Sequence, residues 1–204
     1  MSLRSTPIAN RFYRLLNRLL PFLQRHVKSP NQLTMLGVVI AACTPLAFYF
    51  SPLAGMIFIG LSGLADTTDG LLAKSAGKQS AYGAFFDSTL DRFSDFFYLL
   101  GFWVRFWRRD AAASSAILVL CALMFTFLIS YSKARAESLG QALAIGLMER
   151  GFRTLYLIVW ALLLALFPGA QDYLLWTGLV LFCVLTLATA IQRILYVRAR
   201  LLPK

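Results

Sequence analysis

Five of the nine acidic residues fall within one stretch of thirty: Asp66, Asp69, Asp87, Asp91 and Asp95. An aspartate inside an apolar helix costs about 2.5–3.5 kcal/mol, so such a density requires a partner or a task. Asp66 and Asp69 are spaced i, i+3, and Asp87 and Asp91 i, i+4, so on helices each pair shares a face. Four carboxylates meeting in a low-dielectric cleft repel one another unless cations join them, and Lys74 and Arg92 alone are too few. Hard oxygen ligands favour Mg²⁺ or Mn²⁺, and a shared carboxylate can bridge two such ions about 3.5–4 Å apart. Zinc is disfavoured, because no His, Cys or Glu lies near these residues; Cys43, Cys121 and Cys183 stand in separate apolar runs and read as buried small residues. The acids could serve metal-assisted catalysis, a cation or proton pathway, or Arg pairs that hold helices together. Their bunching toward one membrane face argues against the pathway.

The elements that must position them follow from composition. The chain has 204 residues, 59% apolar and 14% charged, where soluble domains run nearer half and a quarter. At about 20 residues per span the length allows about six or seven transmembrane helices. Apolar runs predict helices over 33–51, 53–74, 80–107, 111–137, 147–167 and 172–197, separated by Ser51-Pro52, Ser75–Lys78, Arg108–Asp110, a Gly140–Gly146 loop and Pro168-Gly169. The second and third run antiparallel across a short loop, which brings the two acid pairs to similar depth. Residues 1–28 alternate Phe12, Leu15, Leu16, Leu19, Leu20 and Leu23 with Arg11, Arg14, Arg18 and Arg25, the pattern of a basic amphipathic surface helix bent at Pro21. The expected fold is therefore an all-α integral membrane protein: a juxtamembrane helix over 1–28, then a domain over 29–204 with six transmembrane helices around a polar cavity facing the cytoplasm.

The net charge of +11 would suggest nucleic acid in a soluble chain. Here the basic residues hug helix ends, which points to anionic lipid or phosphate and excludes a nucleic-acid face. Lys74, Lys78, Lys133, Arg135, Arg150, Arg153, Arg193, Arg198 and Arg200 fall on the side of both termini, against Arg105, Arg108 and Arg109 on the other. The bias predicts a multi-pass plasma-membrane protein with both termini, and the acids, cytoplasmic.

The segment Asp66-Thr67-Thr68-Asp69-Gly70-Leu71-Leu72-Ala73-Lys74, eight residues, then Gly83-Ala84-Phe85-Phe86-Asp87-Ser88-Thr89-Leu90-Asp91 resembles the signature of the CDP-alcohol phosphotransferases. Lys74 departs from it, standing where the family usually has Arg; it keeps the charge but loses the bidentate fork. The resemblance implies displacement at the phosphorus of a CDP-linked lipid, with two Mg²⁺ ions (or Mn²⁺) held by Asp66, Asp69, Asp87 and Asp91, and Asp91 also acting as general base. It implies that Gly70, Ala73, Lys74 and Gly83 attend the CDP-lipid, with glycine needed where a side chain would meet the nucleotide or a neighbouring helix. Pro30-Asn31-Gln32-Leu33-Thr34 is similar to the family's lead into its first span, which assigns Asn31 and Thr34 to the same donor. A homodimer is implied as well.

The run Ser130-Tyr131-Ser132-Lys133-Ala134-Arg135-Ala136-Glu137 and the run Glu149-Arg150-Gly151-Phe152-Arg153 resemble the branch that makes phosphatidylinositol phosphate or its archaeal ether-lipid counterpart. That resemblance implies CDP-diacylglycerol or an ether equivalent as donor and inositol 1-phosphate as acceptor, its phosphate contacted by Lys133, Arg153 and Arg193. Arg135 and Arg150 read as phosphate contacts, as positive-inside anchors, or as partners of Glu137 and Glu149; Asp95 reads as a helix-packing residue or a partner of Arg92. Two other readings stay open: the same chemistry on another acceptor such as glycerol 3-phosphate, and a divalent-cation transporter.

Overall fold

The structure, a computed structural model, describes residues 16, 21, 24–25, 27, 29–143 and 145–201. Most of the expected amphipathic helix over 1–28, with His26, lies outside the described residues. Among those described there is no strand, and the helices are α1 (Pro30–Ala42), α2 (Thr44–Phe50), α3 (Pro52–Ser75), α4 (Ala81–Trp107), α5 (Ala112–Ser138), α6 (Arg150–Leu166) and α7 (Gln171–Leu201). A 3₁₀ turn at Pro168–Ala170 joins the last two. Four stretches are long and apolar enough to cross a membrane: Pro30–Phe50, Pro52–Ser75, Ala112–Ser138 and Pro168–Leu201. α4 is as long as α5 but carries Asp87, Asp91, Arg92, Asp95 and Arg105, and α6 has 17 residues. This is a multi-pass membrane architecture.

The first predicted span, 33–51, is two helices rather than one. Pro45 has no N–H and its ring collides with the carbonyl four residues back, so the helix breaks at Cys43 and restarts. α3 ends where Gly77, at φ +62, lets the chain fold back so that the Lys78 N–H reaches the Ala73 carbonyl at 2.9 Å. α4 begins at Ser80, whose Oγ accepts from the Gly83 N–H at 2.9 Å. These two caps set the short antiparallel loop that the acid pairs require.

α1 packs on α3 and α4, α3 on α6, and α5 on α4 and α7. The core runs through Phe48, Ile59, Leu99, Phe102, Trp160, Leu179 and Phe182, with Phe102 stacked on Trp160 at 3.9 Å between centroids. Trp160 fits only because residue 178 is glycine, whose absent Cβ would lie 2.1 Å from the indole nitrogen. Nearer the acids, the Tyr98 hydroxyl donates to Ser62 Oγ, which donates to the Gly37 carbonyl, both at 2.7 Å. Buried Tyr98 and Ser62 thus tie α4, α3 and α1 together one helical turn from Asp66.

The predicted loop around Gly140–Gly146 is strapped down rather than free. Buried Arg193 on α7 donates to the Ile145 carbonyl at 2.9 Å and to the Ile129 carbonyl at 2.7 Å. Gly146, at φ +114, lies against Thr189 and Arg193 where a Cβ would be 2.6 Å from a Thr189 methyl. The Met148 N–H donates to Thr189 Oγ1.

Candidate metal centre

Carboxylate oxygens of Asp66 and Asp69 from α3 and Asp87 from α4 come within 4.8 Å of one another. Asp69 is buried, and Asp66 and Asp87 are half-buried. One oxygen on Asp69, Oδ2, and one on Asp87, Oδ1, are buried with no hydrogen-bond partner among the described residues. Such orphaned acceptors are rare in proteins and fit a divalent cation, which would supply the missing contacts. The triad is therefore built as the spacing predicts: i, i+3 on one helix facing the start of the next.

Asp91 joins this group through an intermediary. Arg150, the first residue of α6, pairs with Asp66 and, at 2.5 Å, with Asp91 through the same Nη1. Arg150 is thus neither a surface anchor nor a partner of Glu137 or Glu149. One turn deeper, Asp95 pairs with Arg153 at 2.8 Å, and both are buried; its partner is not Arg92. Arg153 also donates to the Met148 carbonyl at 3.1 Å. The signal for this double rung was present in the sequence, since Arg150 and Arg153 at i, i+3 face Asp91 and Asp95 at i, i+4. Charge complementarity across helices distant in sequence could have found it.

Around the acids, Thr34 is buried on α1 with its hydroxyl donating to the Pro30 carbonyl at 3.4 Å, and Asn31 is half-buried. Gly83 carries two constraints: a Cβ there would stand 3.0 Å from the Ser80 cap oxygen and 3.6 Å from Asn31 Oδ1. Gly70 is exposed, and a Cβ on it would meet nothing within 4 Å. Ala73 is half-buried and Lys74 exposed at the end of α3. A cavity of about 250 Å³ opens beside this end, lined by Gln24, Val27, Pro30, Leu72, Ser75 and Lys78 among others.

The expected acceptor residues are in different states. Lys133 is exposed on α5 and pairs with Glu137 at 3.9 Å. Arg153 and Arg193 are buried and already bonded, as described. Arg153 keeps a buried Nε without a partner among the described residues.

Comparison with known proteins gives concordant results. Residues 27–184 match the CDP-alcohol phosphatidyltransferase family. The chain is 35% identical over 185 residues to the archaetidylinositol phosphate synthase of Aeropyrum pernix, covering 88% of each chain. It is 37% identical over 201 residues to the phosphatidylinositol phosphate synthase of Streptomyces avermitilis, covering 92% of this chain and 79% of that one. The crystal structure of Mycobacterium tuberculosis phosphatidylinositol phosphate synthase with CDP-DAG bound superimposes with a TM-score of 0.74 at 29% identity, over 90% of this chain and 94% of that one. The same enzyme in complex with manganese and citrate gives 0.78 at 28% identity, over 89% and 88%.

Proposed function

This chain belongs to the CDP-alcohol phosphatidyltransferase family, and on that premise we propose that it transfers the phosphatidyl group of CDP-diacylglycerol, or an ether-lipid equivalent, to inositol 1-phosphate. The products are phosphatidylinositol phosphate, or its ether analogue, and CMP. The observation that carries the reading is the convergence of Asp66, Asp69 and Asp87, with oxygens left unpartnered, on the family's own spacing. The names of the relatives and the CDP-DAG and manganese in the M. tuberculosis structures support the donor and the metal class.

Asp66, Asp69, Asp87 and Asp91 would hold two Mg²⁺ or Mn²⁺ ions, whose charge offsets that of the pyrophosphate and of the departing CMP. Asp91 takes the proton of the acceptor hydroxyl, whose oxygen forms the new bond to the lipid-bearing phosphorus as the bond to CMP breaks. Asn31, Thr34, Gly70, Ala73, Lys74 and Gly83 attend the CDP moiety; the open space over Gly70 and the exposure of Lys74 suit a large ligand. Lys133, Arg153 and Arg193 face the acceptor phosphate, with Lys133 the one exposed enough to meet a solute directly. The excess of basic residues at the acid-bearing end supports a cytoplasmic site in the plasma membrane, with both termini on that side. A homodimer belongs to the same reading. The cation-transporter alternative does not survive membership of a transferase family.

The test is CMP release from CDP-diacylglycerol by purified protein with Mg²⁺, comparing inositol 1-phosphate, glycerol 3-phosphate, free inositol and serine. Release with inositol 1-phosphate alone is expected. Preference for glycerol 3-phosphate would keep the chemistry and overturn the acceptor; no metal-dependent release with either a diacyl or an ether donor would overturn both.

A further inference from the structure

Arg150 divides the four aspartates into two unequal halves. On one side, Asp69 Oδ2 and Asp87 Oδ1 are buried and unpartnered, ready to be coordinated. On the other, a single guanidinium nitrogen spans Asp66 and Asp91. The cleft remaining beside it, lined by Thr34, Gly37, Ser62, Asp66, Asp91 and Arg150 with three others, is about 10 Å³, room for one water at most. A Mg²⁺ ion sits about 2.0–2.1 Å from its oxygens, whereas a guanidinium nitrogen sits about 2.7–2.9 Å away, so the two cannot share the same gap.

We infer that Arg150 is a built-in counter-cation for the second metal position, so that the triad accepts one divalent ion unaided while a second, shared with Asp91, binds only as Arg150 withdraws. The inference rests on the four aspartates being metal ligands, as proposed above. It makes binding at the two positions sequential. It also gives Arg150 a second destination, since a guanidinium released from two carboxylates presents the same fork to a phosphate. Arg150 is the first residue of α6, directly after its N-cap Glu149, so its side chain leaves the bundle's helical part at an end rather than mid-helix.

The experiment uses the full-length, metal-stripped protein in detergent, titrated with Mn²⁺ alone, with free Mn²⁺ followed by electron paramagnetic resonance. Wild type is expected to bind one ion strongly and a second weakly. R150Q should keep the first and tighten the second at least about tenfold. R150K, which retains the charge without the fork, should fall between. In R150Q/D91N the tightened ion should disappear, which assigns it to Asp91. Retention of the first ion shows that R150Q is folded; were it lost, the R150K shift decides. Equal second-ion affinity in wild type and both variants, or a tightened ion that survives D91N, would overturn the inference while leaving the triad intact. Absence of any strong Mn²⁺ binding by wild type that unfolds cooperatively would instead overturn the metal reading itself, and this inference with it.

Discussion

The two ends of this helical array bury charge under the same constraint and resolve it in opposite ways. At the Arg108–Asp110 end the arginines are met mostly from within, with Arg105 Nε buried and unpartnered among the described residues. Buried Arg105 donates to the Phe48 carbonyl at 3.2 Å and to Gln171 Oε1 at 2.9 Å, and Arg109 shares that oxygen and pairs with Asp172. Arg108 reaches the Tyr49 carbonyl and lies 4.7 Å over its ring. Arg105 and Arg108 satisfy carbonyls that the short helix α2 leaves open at its C-terminus, where cations are favoured. At the other end Asp66, Asp69 and Asp87 converge, and Asp69 Oδ2 and Asp87 Oδ1 have no partner among the described residues. The difference is one of chemistry: carbonyls and an amide close around the arginines at one end, whereas at the other carboxylates face one another and two buried acceptor oxygens stay unpartnered among the described residues.

The sharpest way to break this contrast is Asp69→Asn. It should reduce CMP release by at least about 10³-fold, roughly 4 kcal/mol of barrier, while leaving the unfolding temperature unchanged or higher, since it removes an uncompensated charge. A fall in unfolding temperature comparable with that of the arginine variants would place Asp69 among the structural charges. Asp95→Ala should cost about 3 kcal/mol of stability by stranding the buried Arg153 charge. A double-mutant cycle with Arg153→Met measures the pair directly, and additivity would refute the coupling. Arg105→Ala should cost about 2 kcal/mol of stability, with turnover per folded molecule retained; a selective loss of turnover would make the far end part of the machinery. The smallest effect is expected at Lys133. Lys133→Met should raise the KM for inositol 1-phosphate about tenfold with kcat and unfolding temperature held, and an unchanged KM would remove it from the acceptor site.

Much of this was legible in the residues themselves. The Asp spacings name a face on each helix, and Gly77 and Ser80 cap the loop that turns those faces toward each other, so local pattern was enough to build the triad. Helix boundaries agreed to within a few residues, because apolar runs and Pro/Gly punctuation are local signals too. The break at Cys43 was less visible: Pro45 lies in an apolar run that hydropathy reads as continuous, and its ring and missing N–H leave no mark on hydropathy. The partners of Arg150 and Asp95 could not be read from neighbours in sequence, since they lie 84, 59 and 58 positions apart across helices α3, α4 and α6. Short-range candidates such as Glu149 and Arg92 looked plausible because proximity along a chain is visible and proximity across a bundle is not. Arg193 belongs to the same class, its guanidinium being spent in part on the Ile129 and Ile145 carbonyls.

The hydrogen-bonded chain from Tyr98 through Ser62 to the Gly37 carbonyl closes the space directly beyond the acids, and Ile59, Leu99, Phe48 and Phe102 fill the interior on its far side. A site that gathers divalent cations and polar solutes inside a membrane would short-circuit the ion gradient across it if the cleft continued to the opposite face. With this layer in place, the described residues leave ions no polar route from the acids through the packed interior.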